Sequence, residues 1–383
     1  MKPSAFAFQP VFDTRTHSVA AASAQRVAAA NGDPAASSGF QIGWDHAHHA
    51  LVPPTELLTD GTDIAQGWMA GRSVFRSRTL TATRTVRLWL YLRTLAWRQG
   101  LGFDALQVTP NYLAQIHTDR CPVLRLPLGG LPGSATAAVV ERLNPQAGYA
   151  AGNLAVMSQA ASNARAGMAL ADLVRRARQA ELCGEDIAGL SAAAWWRLAA
   201  LTAVATPALP YFEAARVPLA VLPPNCVGVL NSCIALQTVL TRLFLQPGWS
   251  ARARTLAGRL PAHTLRHDLN LFVGAVAPRV LEAGNDPAEL RLAMEDAWLN
   301  ERVQRRWQHF AVGLGEVACE SLLAFAVSEG MADIRTLTHA HARDAQDART
   351  ATPATATTGG GGLGCVLGST LQRPAVALKR PSR

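Results

Sequence analysis

The sequence predicts a mostly α-helical protein with one small α+β (ββα) module and a multi-helical body. Three observations carry this reading. Residues 186–337 divide at Pro and Gly into apolar stretches of helical length. Residues 121–165 read instead as strand, turn, strand, helix. Hydrophobic residues make up 49% of the 383 and charged residues only 16%, which is enough apolar mass to close a sizeable core.

The elements follow in chain order. Residues 1–39, rich in Ala, Ser, Gly and Asp, read as a flexible N-terminal arm with a small helix over 18–30. Residues 40–180 are expected to form a basic helical region that contains the ββα module. At its start, Trp44-Asp45-His46-Ala47-His48-His49 lies before Pro53-Pro54 and reads as a surface loop whose Trp44 packs onto the core. Thr55 to Ser77 reads as helix, with Ile64, Trp68, Val74 and Phe75 as apolar positions. Thr81 or Thr83 caps a stronger helix running to Gln99, which Gly100 and Gly102 end. Thr109 opens a short helix through His117. An apolar, strand-like run, Cys121 to Leu128, leads into the hairpin around Glu141-Arg142 and Gly152-Asn153. Helix then covers Ala160 to Ala180.

Residues 186–337 are expected to be a helical domain. Its best helices are Ala193–Ala205, Asn225–Leu245, Ser250–Leu260, Pro261–Ala283 and Pro287–Phe310. Asp286 before Pro287, with Glu289 in the first turn, is a favourable start. Residues 340–383 turn to Ala, Thr, Gly and Pro, and read as a disordered tail with a basic end.

The charge is unevenly spread. Residues 63–178 hold 14 Arg against 5 acids, so the whole net charge of +9 falls on the segment containing the hairpin. An excess of this kind suits polyanion binding through phosphate contacts and counterion release. Nucleic acid is therefore the expected partner, with DNA favoured. A protein partner for the helical region beyond 186 is the other candidate. Six Cys without a Cys-x-x-Cys pair, and no apolar run behind Lys2, suggest a cytoplasmic protein with mostly buried thiols. The most apolar stretch, Ala311–Val327, is interrupted by Glu316 and Glu320, so no membrane partner is expected.

Residues 119–173 resemble the HNH-type (His-Me finger, ββα-metal) nuclease domains of phage and mobile-element proteins. Cys121, Pro122, Val123, Pro127 and Leu128 match the opening of the family's divergent hairpin. Arg142, Pro145, Gly148, Tyr149, Gly152 and Asn153 match its middle, and Asn163 with Arg165 falls at its last element. The resemblance implies an endonuclease in which Glu141 and Asn153 hold Mg²⁺ or a similar divalent ion. Arg142 would clamp the phosphate, Asn163 would orient the turn, and a His would activate water, with His117 or one of His46, His48 and His49 as that base.

The sequence departs from the family at the chemistry. Glu141 stands where Asp is usual. Arg142 stands where a typical member has its general-base His, and Asn144 where it has a second acid. Arg cannot act as a base at neutral pH, but it can grip a phosphate with two parallel bonds. Arg84, Arg87, Arg125, Arg142 and Arg165 are the expected nucleic-acid contacts. A catalytically inactive binder, or a helical scaffold protein, is the alternative. The His263–His267 pair lacks the Glu of a zinc-protease motif and reads as structural.

Overall fold

The computed structural model describes residues 34–206, 209–223, 231–284 and 286–331. The expected arm helix at 18–30 and tail at 340–383 lie outside them. Thirteen α-helices and a single two-stranded sheet follow along the described residues, so the protein is mostly α with a small β element.

Helices α1 (Pro34–His48), α2 (Asp63–Phe75) and α3 (Arg84–Arg98) come first. Thr62 caps α2 by accepting from the Ala65 N–H at 3.2 Å, and Thr83 caps α3 through the Val86 N–H at 3.3 Å. The expected arm ran to residue 39 and the expected loop covered 44–49; α1 instead makes residues 34–39 and 44–48 helical. Close packing explains why this short, glycine-containing segment is helical. A Cβ on Gly43 would lie 2.0 Å from the Ile64 carbonyl oxygen, and one on Gly67 would lie 1.9 Å from that of Phe40. The two backbones therefore touch, and only glycine allows it.

Ile42, Leu57 and Ile64, with Trp97 against them, form a small core of their own. Asp45 pairs with the buried Arg93 of α3. The His46 Nδ1–H donates to Ile42 O at 2.8 Å. Burial pushes the His46 imidazole below its ordinary pKa, with Arg93 adding to the effect. Gly43→Ala should separate α1 from α2 and cost about 2 kcal/mol or more, the cost of inserting a methyl where backbone already sits. Urea denaturation checks this.

After α4 (Pro110–Gln115), capped by Thr109, the run from Cys121 forms a tight turn and not a strand. Its only sheet-like contact is a bridge between Arg120 and Pro127, and Arg125 sits at φ 58. Strand β1 (Ala138–Arg142) pairs antiparallel with β2 (Leu154–Ser158), so that Ala138 faces Ser158 and Arg142 faces Leu154. All of β2 is buried and β1 is half-buried. Ser158 caps α5 (Gln159–Arg165). The expected helix from 160 to 180 is two helices, because Ala166 and Gly167 adopt φ 46 and 71 before α6 (Leu170–Cys183) begins.

The body consists of α7 (Ala192–Val204), α8 (Tyr211–Ala214), α9 (Ser232–Phe244), α10 (Trp249–Arg259), α11 (His263–Glu282), α12 (Pro287–Ala297) and α13 (Glu301–Ser328). Helices α7 and α9 are apolar almost all round and are buried on nearly every side, as such helices must be. Asp286 caps α12 as expected, accepting from the Ala288 N–H at 3.0 Å. The expected helix Pro287–Phe310 breaks after Ala297. There Trp298 turns inward, its ring 5.4 Å from that of Phe272 and its Nε1–H donating to Thr241 Oγ1 at 2.8 Å. Asn300 then caps α13.

Among the described residues only α13 is long and apolar enough to cross a membrane by length and composition. Gly315, at φ 73, breaks its backbone, and Phe310, Cys319 and Leu322 are buried in the core. That core runs unbroken from Leu92 through Met157 to Met331. The hairpin segment and the helices beyond 186 therefore share one core, with no boundary between 180 and 186.

Candidate functional site: the hairpin and the cleft beside it

The hairpin is built from its turns outward. Gly152 takes φ 84, and its N–H donates to the Tyr112 hydroxyl at 2.9 Å. Gly148 is required for a different reason: a Cβ there would lie 2.4 Å from Gly102 O, where the chain crosses an earlier loop. The Tyr149 N–H donates to that same Gly102 carbonyl at 2.8 Å. Cys121 ties the entry turn to the end of β2. Its Sγ accepts from the Ser158 N–H at 3.3 Å and lies 3.3 Å from Ser158 Oγ.

The residues expected to do chemistry are mostly committed elsewhere. Glu141 accepts from Ser162 Oγ at 2.6 Å with one carboxylate oxygen and from Arg165 Nη1 at 2.9 Å with the other. Arg165 is completely buried and also donates to Leu143 O. Burial lowers the pKa of its guanidinium, and Glu141 opposes the shift. Asn153 is 1% exposed. Its Oδ1 accepts from the Asn144 N–H at 2.7 Å, and its Nδ2 donates to Asn144 O at 3.1 Å and Gly148 O at 2.8 Å. It therefore reaches back to fasten the 144–148 loop.

These two residues do not fit a divalent ion as they stand. Both Glu141 oxygens have partners, and a buried cation already neutralises the carboxylate. The Asn153 oxygen is turned onto a backbone N–H. Among the described residues, no three His, Cys, Asp or Glu side chains gather as a metal-binding group.

The remaining expected residues are also placed. Arg142 Nη1 donates to Pro145 O at 2.9 Å and Ala147 O at 2.8 Å, and its guanidinium lies 5.4 Å from the Tyr149 ring centroid. It braces the loop, half-buried, where a phosphate clamp was expected. Burial raises the Tyr149 phenol, and Arg142 partly offsets this. Asn163 is exposed and accepts from Gln159 Nε2 at 2.8 Å, so it does not orient the turn. His117 is exposed, with Nε2 3.3 Å from Asp119 Oδ1. His48 stacks on Phe75 at 4.2 Å, within the α1–α2 pair. No described His bonds to Glu141, Arg142 or Asn153.

Two of the expected nucleic-acid contacts are corrected by burial and pairing. Arg165 is inside the module. Arg125 is 18% exposed, and its Nη1 reaches Asp296 Oδ2 at 2.6 Å on α12. Arg197 joins this cluster, donating to Val123 O and to Asp296 Oδ1, each at 3.1 Å. The buried Glu295 holds the Leu222 N–H at 3.0 Å and Arg291 Nε at 3.1 Å. The cluster locks the entry turn onto the helical body. By contrast Arg84 and Arg87 are exposed, as are Arg72, Arg76 and Arg78 just before them.

Beside the hairpin lies a cleft of about 600 Å³. The 144–147 loop forms one wall, and the start of α6, the end of α7 and residues 209–217 form the others. Sequence reading missed this cleft and the partners of Glu141. One signal was present: Ser162 and Arg165 stand three apart on α5, hence on one helix face. Nothing local marks Asp296, Thr202 or Arg216. No family model, curated protein or solved structure matches this chain.

Proposed function

We propose that this protein binds nucleic acid through the arginine surface of α2 and α3, and that the HNH-like hairpin supports the fold without cutting the phosphodiester. The observation that carries the reading is the exposure of Arg72, Arg76, Arg78, Arg84 and Arg87 in a stretch with no acidic residue between Asp63 and Asp104. A run of exposed arginines with no acid along the same stretch of chain attracts a polyanion and releases its counterions on contact. The loss of cleavage follows from the commitments of Glu141, Asn153 and Arg142. Among the described residues these leave no uncommitted acid side chain and no histidine at the hairpin.

Fluorescence anisotropy with a short labelled duplex tests this. Affinity should fall with salt, and log K should change by about 0.9 per unit log[salt] for each phosphate neutralised. Arg84→Ala combined with Arg87→Ala should reduce that slope by about 1.8 if each arginine meets one phosphate. Supercoiled plasmid should stay intact in Mg²⁺ or Mn²⁺. Salt-independent binding would sink the surface reading. Nicking lost in Glu141→Ala would overturn the non-cutting one.

A further inference from the structure

We infer that the cleft between the 144–147 loop and the helical body is a binding site for a small organic anion with an apolar body. Its volume of about 600 Å³ is in the range of small-molecule sites. Most of the lining is aliphatic, including Leu170, Val174, Leu209 and Val217. The charged groups at its edge are Arg178, Arg216 and Glu213, all exposed. Neither arginine makes an ion pair with a described residue, so two cations face one carboxylate and the edge favours an anion.

Thr202 lies beneath the cleft, 2% exposed, its hydroxyl buried and without a hydrogen-bond partner, so the floor offers an entering ligand little polar contact. Ala169, Leu170 and Ala171 also line the cleft, and they open α6 with no side-chain cap on its first-turn N–H groups. This 14-residue helix turns its positive end toward the cleft, with Asp172 in the same first turn paired to Arg175. The facing wall is rigid, because Asn153 and Arg142 hold its carbonyls in place. A wall fixed in advance lowers the ordering cost of binding. An anionic head would meet Arg178, Arg216 and the α6 N-terminus, and its apolar body would fill the aliphatic interior. The inference does not depend on the nucleic-acid reading, since the α2–α3 arginines are not part of the cleft lining.

The test uses the full-length chain titrated with 8-anilinonaphthalene-1-sulfonate, an aryl sulfonate with an apolar body, and decanoate as competitor. One sulfonate should bind per chain, and decanoate should displace it. Arg178→Ala with Arg216→Ala removes two exposed side chains and should weaken both ligands about tenfold or more, as loss of charge-assisted bonds does. Thr202→Val should leave the thermal midpoint unchanged or higher and decanoate affinity unchanged or slightly tighter, because the alkyl chain lies over that position. Arg84→Ala with Arg87→Ala should leave both affinities unchanged. Absent saturation, several probes bound per chain, or equal affinity in the Arg178/Arg216 variant would each overturn the site. A several-fold loss of decanoate affinity in Thr202→Val would put the head at the floor and overturn this seating.

Discussion

Glu141→Ala should destabilise the protein by about 3 kcal/mol, with the same loss whether or not Mg²⁺ is present. Arg165 has no exposed surface and its charge is balanced by Glu141 at 2.9 Å, with Ser162 holding the other oxygen. Removing the carboxylate leaves a cation sealed in the module, and that uncompensated charge dominates the cost. Because Glu141 keeps 26% exposure, the low end of the range for buried pairs applies. Replacing both partners, as Glu141→Ala with Arg165→Met, should recover much of the loss, since an apolar pair leaves nothing unpaired. Urea denaturation with and without Mg²⁺ measures all three chains. If Mg²⁺ stabilised the wild type and not Glu141→Ala, the carboxylate would be a metal ligand after all.

Asn153→Ala should cost about as much, roughly 3 kcal/mol, for a different reason. Its amide satisfies the Asn144 N–H and the carbonyls of Asn144 and Gly148 from a position 1% exposed. The truncation strands several backbone groups at once, and an unsatisfied buried group costs about 1–3 kcal/mol. Asn153→Asp should be at least as harmful at neutral pH, because it turns a second negative oxygen toward carbonyl oxygens. Hydrogen exchange across residues 144–148 should accelerate in both variants, and denaturation should show the lost stability. A stable Asn153→Asp that tightened with Mg²⁺ would argue that the loop is a metal site.

The features legible in the sequence are those that neighbouring residues decide. Thr83, Thr109 and Asp286 announce their helices because a cap needs only a side-chain oxygen next to the first free N–H groups. The strand–turn–strand–helix order was legible for the same reason, since alternation and turn residues act within a few positions. Gly152 meets a local need, a positive φ at the turn, whereas Gly148 is needed for a close crossing with Gly102, which no neighbouring residue announces.

Errors came where a distant partner decides. The segment from Trp44 to His49 has no strong local helical signal, and its helix depends on close contacts across the interface, Gly43 against Ile64 and Trp68, Gly67 against Phe40 and Gly71 against Trp44 and Ala47. The helix expected to run on past Ala297 breaks because Trp298 finds Phe272 and Thr241 in the core.

The sequence alone determined the fold class, most helix starts, the hairpin and the concentration of arginine between 63 and 178. Only the tertiary structure decided which of those arginines remain at the surface. Arg165 is consumed by Glu141 and Arg125 by Asp296, 171 positions away, while Arg84 and Arg87 stay exposed. Composition counts charges, but burial and pairing determine what each charge can do. A guanidinium removed from water must be neutralised where it sits, so it cannot also serve a phosphate.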